Sequence, residues 1–180
     1  MMEKRRYTIS VFTEDRVGLL NRVTIIFTRR KINIDSITAS VSEIKGVHRY
    51  TIVVQESKEL VKKVTAQIEK QVEVLKAFFH EDQDIIHQEI GLYKLPTQSL
   101  FLGGKAEEIV REHHARILSI ESDFTVVEKT GHPCETTALF NALSPYGILE
   151  FVRSGSVAIT KPMKTLANYL EELEKEIELN

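Results

Sequence analysis

Residues 13–23, TEDRVGLLNRV, followed by KINIDSI at 31–37, decide how this chain folds. Just upstream, YTISVF (7–12) alternates apolar and polar residues, as a half-buried strand does. Downstream, Leu19, Leu20, Val23, Ile26 and Phe27 recur at helical spacing. A strand therefore feeds a helix through residues 13–17, and Gly18 opens that helix. The first turn of a helix leaves backbone N–H groups without intrahelical partners, and its dipole favours negative charge there. Val17, Gly18 and Leu19 are thus placed to offer amides to a small anion, and glycine lets that anion approach the backbone. The same residues also fit a plain turn, with Gly18 permitting the bend and Asp15 capping the helix. Next, Ile32 and Ile34, then Ile37, Ala39 and Val41, change phase around Asp35 and Ser36. That shift predicts a bulge or irregular entry into a strand over 32–42, with Asn33 at its start.

Outward from this stretch the pattern continues as strand 47–55, helix 58–69 and strand 72–79, with Gly46 in the hairpin turn between the second and third strands. The element order is βαββαβ. HEDQDIIHQE (80–89) is polar and highly charged, which predicts a linker over 81–89 between a first domain, 1–80, and a second, 90–180. The second half repeats the order with strand 90–95, helix 105–114, strands 116–120 and 124–128, helix 134–144 and strand 148–153. A further strand, 156–160, and a Glu/Lys-rich helix, 164–177, with Leu166, Leu170 and Leu173 on one side complete the expectation. The predicted class is α+β, with two consecutive ferredoxin-like βαββαβ modules.

Gly18 at the helix start, the RRKINIDSITAS run and this element order resemble an ACT domain, and more closely the regulatory small subunit of acetolactate synthase. VVEKTG (126–131) and GILEFVRSG (147–155) resemble the C-terminal domain of the same family. The chain departs from the family where Asp15 and Lys31 stand, positions that often carry asparagine and glycine. The resemblance implies an effector site lined by the loop-to-helix glycine and the strand-entry asparagine, here Gly18 and Asn33, across a homodimer seam. With their neighbours, the candidate effector residues are Asp15, Val17, Gly18, Leu19, Asn33 and Ile34. The resemblance further implies a non-catalytic chain that binds and activates a large catalytic subunit and confers inhibition by a branched-chain amino acid, most often valine. Thiamine diphosphate and magnesium are expected on that partner, since this chain lacks the GDG that begins the family's cofactor motif. A free-standing tandem ACT-type sensor, acting on another enzyme or on a transcriptional regulator, is the alternative.

Composition narrows the classes further. A net charge of −2 predicts no broad attraction to nucleic acid or anionic lipid. No apolar run approaches a membrane span, MMEKRRYTIS passes straight into a strand without a cleavage site, and the single cysteine, Cys134, has no intrachain partner. These features lead to the expectation of a cytoplasmic protein. Adjacent His113 and His114 point in different directions on a helix, and the His132–Cys134 trio lacks further ligands, so no metal site is expected. Gly103-Gly104-Lys105 lacks the upstream glycine and following Ser or Thr of a phosphate loop and reads as a helix-opening turn. No nucleophile–base pair emerges from spacing, and no catalytic residue is expected. Two surfaces are candidates for docking a partner: a face of the first sheet carrying Thr8, Ser10 and Arg49, and the segment around Arg153.

Overall fold

The computed structural model describes residues 3–101, 104–161 and 168. The chain divides into two compact units, one formed by Met1–Ile86 with Ser156–Asn180 and the other by His87–Gly155.

In the first unit, β1 (Arg5–Glu14), α1 (Leu19–Arg29), β2 (Ser36–Val41), β3 (Val47–Glu56), α2 (Lys58–Glu69) and β4 (Val74–Glu81) follow one another. The strands hydrogen-bond antiparallel in the order β2-β3-β1-β4, so β2 is an edge. Ile9, Val11, Ile52 and Val54 face α1 and α2 and form one core with Val23, Phe27, Val64 and Ile68. At about 25 cal/mol per Å² of apolar surface removed from water, this layer is the main source of the unit's stability. Lys58–Glu69 matches the helix expected from the sequence, and Gly46 takes the left-handed φ of 81° that its hairpin turn needs.

In the second unit, β5 (Ile85–Pro96), α3 (Thr97–Phe101), α4 (Lys105–Glu112), β6 (Arg116–Ile120), β7 (Phe124–Gly131), α5 (Pro133–Leu143) and β8 (Glu150–Arg153) repeat the plan. The strand order β6-β7-β5-β8 is the same topology over again. Tyr93, Leu95, Val127, Leu139 and Leu143 make its core. The likeness extends to backbone detail. Gly18 and Gly104 both stand in the left-handed region directly before the first helix of their module, with φ of 84° and 70°. Each of those helices ends in the same paired hydrogen bonds. Lys31 N–H donates to Thr28 O and Ile32 N–H to Phe27 O, while His114 N–H donates to Arg111 O and Ala115 N–H to Val110 O. The left-handed residue that closes each motif is Lys31 (φ 55°) in one module and His114 (φ 51°) in the other.

Three expectations change. Residues 81–89 are not a linker: a 3₁₀ turn at Asp82–Asp84 leads directly into β5, where Ile85, His87 and Glu89 alternate inward with exposed Ile86, Gln88 and Ile90. The sequence is polar there because half of the strand faces out and because Glu89 finds a buried partner far away in the chain. The second domain does not run to the C-terminus either, since Ser156 and β9 (Val157–Thr160) belong to the first unit. Finally, β2 begins at Ser36 and pairs with β3 in unbroken register. The change of phase near Asp35 is therefore the entry from loop to strand and not a bulge, and Asn33 lies in the connection before the strand. The helix expected over 164–177 lies outside the described residues apart from Asn168.

Candidate functional site

The loop from Thr13 to Gly18 is held from both sides. Asp15 N–H donates to Gly46 O at 3.0 Å and Glu14 N–H to Glu73 O at 3.0 Å. Arg22, in the first turn of α1, grips the Glu73 carboxylate through one guanidinium nitrogen at 2.7 and 2.8 Å. The Arg22 hydrogen bond holds the Glu73 carboxyl below its ordinary value. Asp15 Oδ1 lies 3.3 Å from His48 Nε2, and Arg16 pairs with Glu14 at 2.7 Å. Arg22, His48 and Glu73 were not expected here. Arg22 carries a faint sequence signal, standing four residues after Gly18 on the exposed side of the helix, but its partner Glu73 lies 51 residues on.

This anchored loop delivers the chain into α1 with Gly18 at φ 84°. Asp15 does not cap the helix: among the described residues no side-chain hydrogen bond caps this end, and the first turn holds no acidic residue. The opening amides of α1 thus keep their capacity for an anion. A methyl group added at Gly18 would meet nothing within 4 Å, so the space beside the backbone is open. Val17 is fully exposed, while the Leu19 side chain is fully buried, which leaves only its backbone to offer.

Asn33 and Ile34 are placed elsewhere. They follow Lys31 at the other end of α1, with Asn33 exposed and Ile34 packed partly against the core. Eleven helical residues at about 1.5 Å each separate the two groups by roughly 16 Å along the helix. Asp15, Val17, Gly18 and Leu19 come together in one chain; Asn33 and Ile34 do not join them there. Beyond Asn33, β2 (Ser36–Val41) is the terminal strand of the sheet and, among the described strands, pairs with β3 alone.

The outer face of this sheet, away from the helices, is not the solvated surface its sequence suggests. Thr8 is 1% exposed and Ser10 2%. Residues from the far end of the chain return to this face: Arg49 donates a guanidinium N–H to Ala158 O, and Ser156 N–H donates to Ser36 Oγ at 3.5 Å. Thr8 Oγ1, Arg49 Nε and His80 Nε2 are buried there without a hydrogen-bond partner among the described residues. Burial lowers the affinity of both Arg49 and His80 for a proton. Thr8, Ser10 and Arg49 are thereby removed as a free docking surface.

In the second unit, Arg153 is also internally engaged. Its Nε lies 3.4 Å from Glu89 Oε1, and its terminal nitrogen donates to Thr137 Oγ1 at 2.5 Å. Thr136 donates to the same Glu89 oxygen at 2.5 Å, and Tyr93 OH donates to Thr136 O at 2.7 Å. Burial pushes the Tyr93 phenol up to about 12. This cluster ties β5, α5 and β8 together, and each of these groups already has a partner. Among the described residues no group of three or more His, Cys, Asp or Glu is arranged to hold a metal ion.

The two modules match two family models. Residues 9–76 match the acetolactate synthase small-subunit-like ACT domain, and residues 88–162 match the model described as the small subunit of acetolactate synthase. A Bacillus subtilis acetolactate synthase small subunit is 36% identical over 162 residues, covering 88% of this chain and 91% of that protein. The chain belongs to the acetolactate synthase small-subunit family. A Mycolicibacterium smegmatis member is 32% identical over 155 residues, covering 86% of this chain and 91% of that one. The crystal structure of the Thermotoga maritima small subunit superposes with a TM-score of 0.80 at 25% identity, covering 89% of this chain and 99% of that one. Family membership therefore extends through both modules and supports the two-module α+β fold expected from the sequence.

Proposed function

We propose that this chain is the regulatory subunit of an acetolactate synthase: it binds and activates a large catalytic subunit and makes that subunit sensitive to a branched-chain amino acid, with valine the first candidate. Membership of the small-subunit family supports the enzyme assignment. One geometric observation carries the effector reading: the two halves of the candidate site stand at opposite ends of α1, and Asn33 and Ile34 lead into β2, the terminal strand of the described sheet. A second chain pairing through β2 about a two-fold axis brings Asn33 and Ile34 of one copy towards the Asp15–Leu19 loop of the other.

In that seam the effector carboxylate lies at the opening amides of α1, its ammonium takes Asp15 and nearby carbonyls, and Asn33 bridges the copies. A metabolite sensor needs only modest affinity. A Kd of ~0.1 mM corresponds to about 5.5 kcal/mol, within reach of a few charge-assisted hydrogen bonds and one buried aliphatic side chain. The effector acts by favouring one arrangement of the seam over another. Thiamine diphosphate and magnesium belong, in this reading, to the catalytic partner, and the complex works in the cytoplasm.

The test is acetolactate formation by the catalytic subunit alone, with this chain, and with this chain plus each branched-chain amino acid. Stimulation, and inhibition only when the chain is present, is the expected result. Gly18→Asp places a carboxylate where the effector's own carboxylate goes, so it abolishes the response while stimulation persists. A Gly18→Asp chain that responds normally to every branched-chain amino acid removes the anion site. No stimulation by the folded wild-type chain favours the free-standing sensor.

A further inference from the structure

Glu73 reaches both ends of the loop that leads into α1. On the strand side its carbonyl accepts the Glu14 N–H at 3.0 Å, and on the helix side its carboxylate is held by Arg22 Nη1 at 2.7 and 2.8 Å. Arg22 is itself locked to the helix start, because its backbone N–H donates to Gly18 O at 3.2 Å. A single residue at the entry to β4 thus spans residues 15–18. The sheet is distorted to put it there. The β1–β4 pairing runs in step from Tyr7 opposite Glu81 to Phe12 opposite Lys76, then slips by one residue so that Thr13 meets Val74. In unshifted register Glu14 would face Val74, whose side chain is buried in the core of this unit. The slip leaves Val74 in the core and brings Glu73 beside Glu14. Irregularities of this kind re-aim a strand end and are concentrated next to functional sites. The Glu73 side chain is 13% exposed against 47% for Arg22, so the carboxylate is sheltered and its pull on Arg22 is screened less than in an open surface pair.

We propose that Glu73 and Arg22 are positioning residues for the effector: acting as one bracket, they hold the loop in its binding shape without touching the ligand. This assignment rests on the effector site proposed above, where Asp15 takes the ammonium and the Val17–Leu19 amides take the carboxylate. In an α-amino acid those two groups hang on one carbon, so the loop must hold their partners at a fixed spacing. A loop that is ordered only when the ligand arrives subtracts the cost of ordering from the affinity. Gly18 sharpens this need. It makes the left-handed turn into α1 possible, with φ 84°, but it brings the largest backbone freedom of any residue and no side chain to restrain it. The bracket supplies from β4 the restraint that the loop's own sequence lacks, and it does so from both flanks at once.

The test uses the full chain with its catalytic subunit and three variants: Glu73→Ala, Arg22→Ala and the two combined. Glu73→Ala keeps the carbonyl that binds Glu14 and removes only the carboxylate. Valine, leucine and isoleucine are each titrated. Each single variant is expected to raise the concentration of the inhibiting amino acid needed for half-maximal inhibition at least about fivefold, with stimulation within about twofold of wild type. The combined variant is expected to go no further, since both changes cut the same link. Inhibition at the wild-type concentration in either single variant overturns the inference. So does a loss of response confined to Arg22→Ala, which places Arg22 on the effector itself, and so does a fall in stimulation as large as the fall in sensitivity, which makes the pair a general support of the fold. Amide hydrogen exchange without any effector reads the bracket separately. In Glu73→Ala the Glu14 and Asp15 amides are expected to exchange at least about fivefold faster, with those of α2 unchanged. Unchanged exchange at both overturns the bracket whatever the inhibition assay gives. Faster exchange in a chain whose wild type confers no inhibition keeps the bracket and removes the effector reading instead.

Discussion

The outer faces of the two sheets are opposites, although the modules share one topology. In the first, hydroxyl-bearing Thr8, Ser10 and Thr51 line the face and are buried; in the second, Leu118, Val152 and their neighbours line it and are exposed. β1 is buried on both faces, whereas β5 alternates strictly between buried and accessible. Polarity along a strand thus did not report which side met water. Coverage is a tertiary property, decided by which other segments return to each sheet.

Reversing the polarity of one residue on each face gives the widest contrast. Ser10→Asp places an unpaired charge in the buried face and is expected to cost at least about 3 kcal/mol of unfolding free energy. Val152→Asp, at a position 50% exposed on the other sheet's outer face, is expected to change it by no more than about 1 kcal/mol. Urea denaturation of both variants measures the difference, and equal costs break the contrast. Next, Thr8→Val removes a buried hydroxyl without a partner among the described residues while keeping its shape, and is expected to raise stability by about 1 kcal/mol.

Lys31→Gly relieves a left-handed lysine after α1 and is expected to raise stability by about 0.5–1 kcal/mol, read as a shift in denaturation midpoint. The smallest effect is a pH dependence. Burial depresses His80 below its ordinary value of 6.5, with Arg49 reinforcing the effect and Asp84 opposing it. The folded state therefore holds the neutral ring. Its contribution is fully present above pH 6.5 and declines as the pH falls below that value, so the melting temperature drops from pH 7 to pH 5.5. His80→Gln flattens that drop; an unchanged slope assigns the acid sensitivity to other groups.

Much of the fold was legible because local signals agreed with the final packing. Lys58–Glu69 follows Ser57 and carries Val61, Val64, Thr65 and Ile68 to one side, and Arg116–Ile120 is bounded by turns. The backbone half of the candidate site, Asp15 to Leu19, was also readable, since a glycine directly before an apolar helical repeat marks the turn that starts the helix. The 81–89 segment misled because Glu89 is polar by composition but buried, matched by Arg153 64 residues later. Arg22–Glu73 and the burial of Thr8 were hidden for the same reason: each depends on a residue no local window contains. Lys31 is instructive in the other direction. Its φ of 55° is one that glycine adopts without strain, in keeping with the glycine that the family resemblance leads one to expect there.

The return of residues 156–158 to the first sheet also bears on how the protein is made. Ser36 receives its hydrogen bond from Ser156, and Arg49 gives one to Ala158, both beyond the whole of the second module in sequence. A ribosome that has released only the first 86 residues has therefore delivered a sheet whose outer face still lacks these contacts. The first module to emerge is the last to be finished, and a nascent chain can complete it only after the second module has been synthesised.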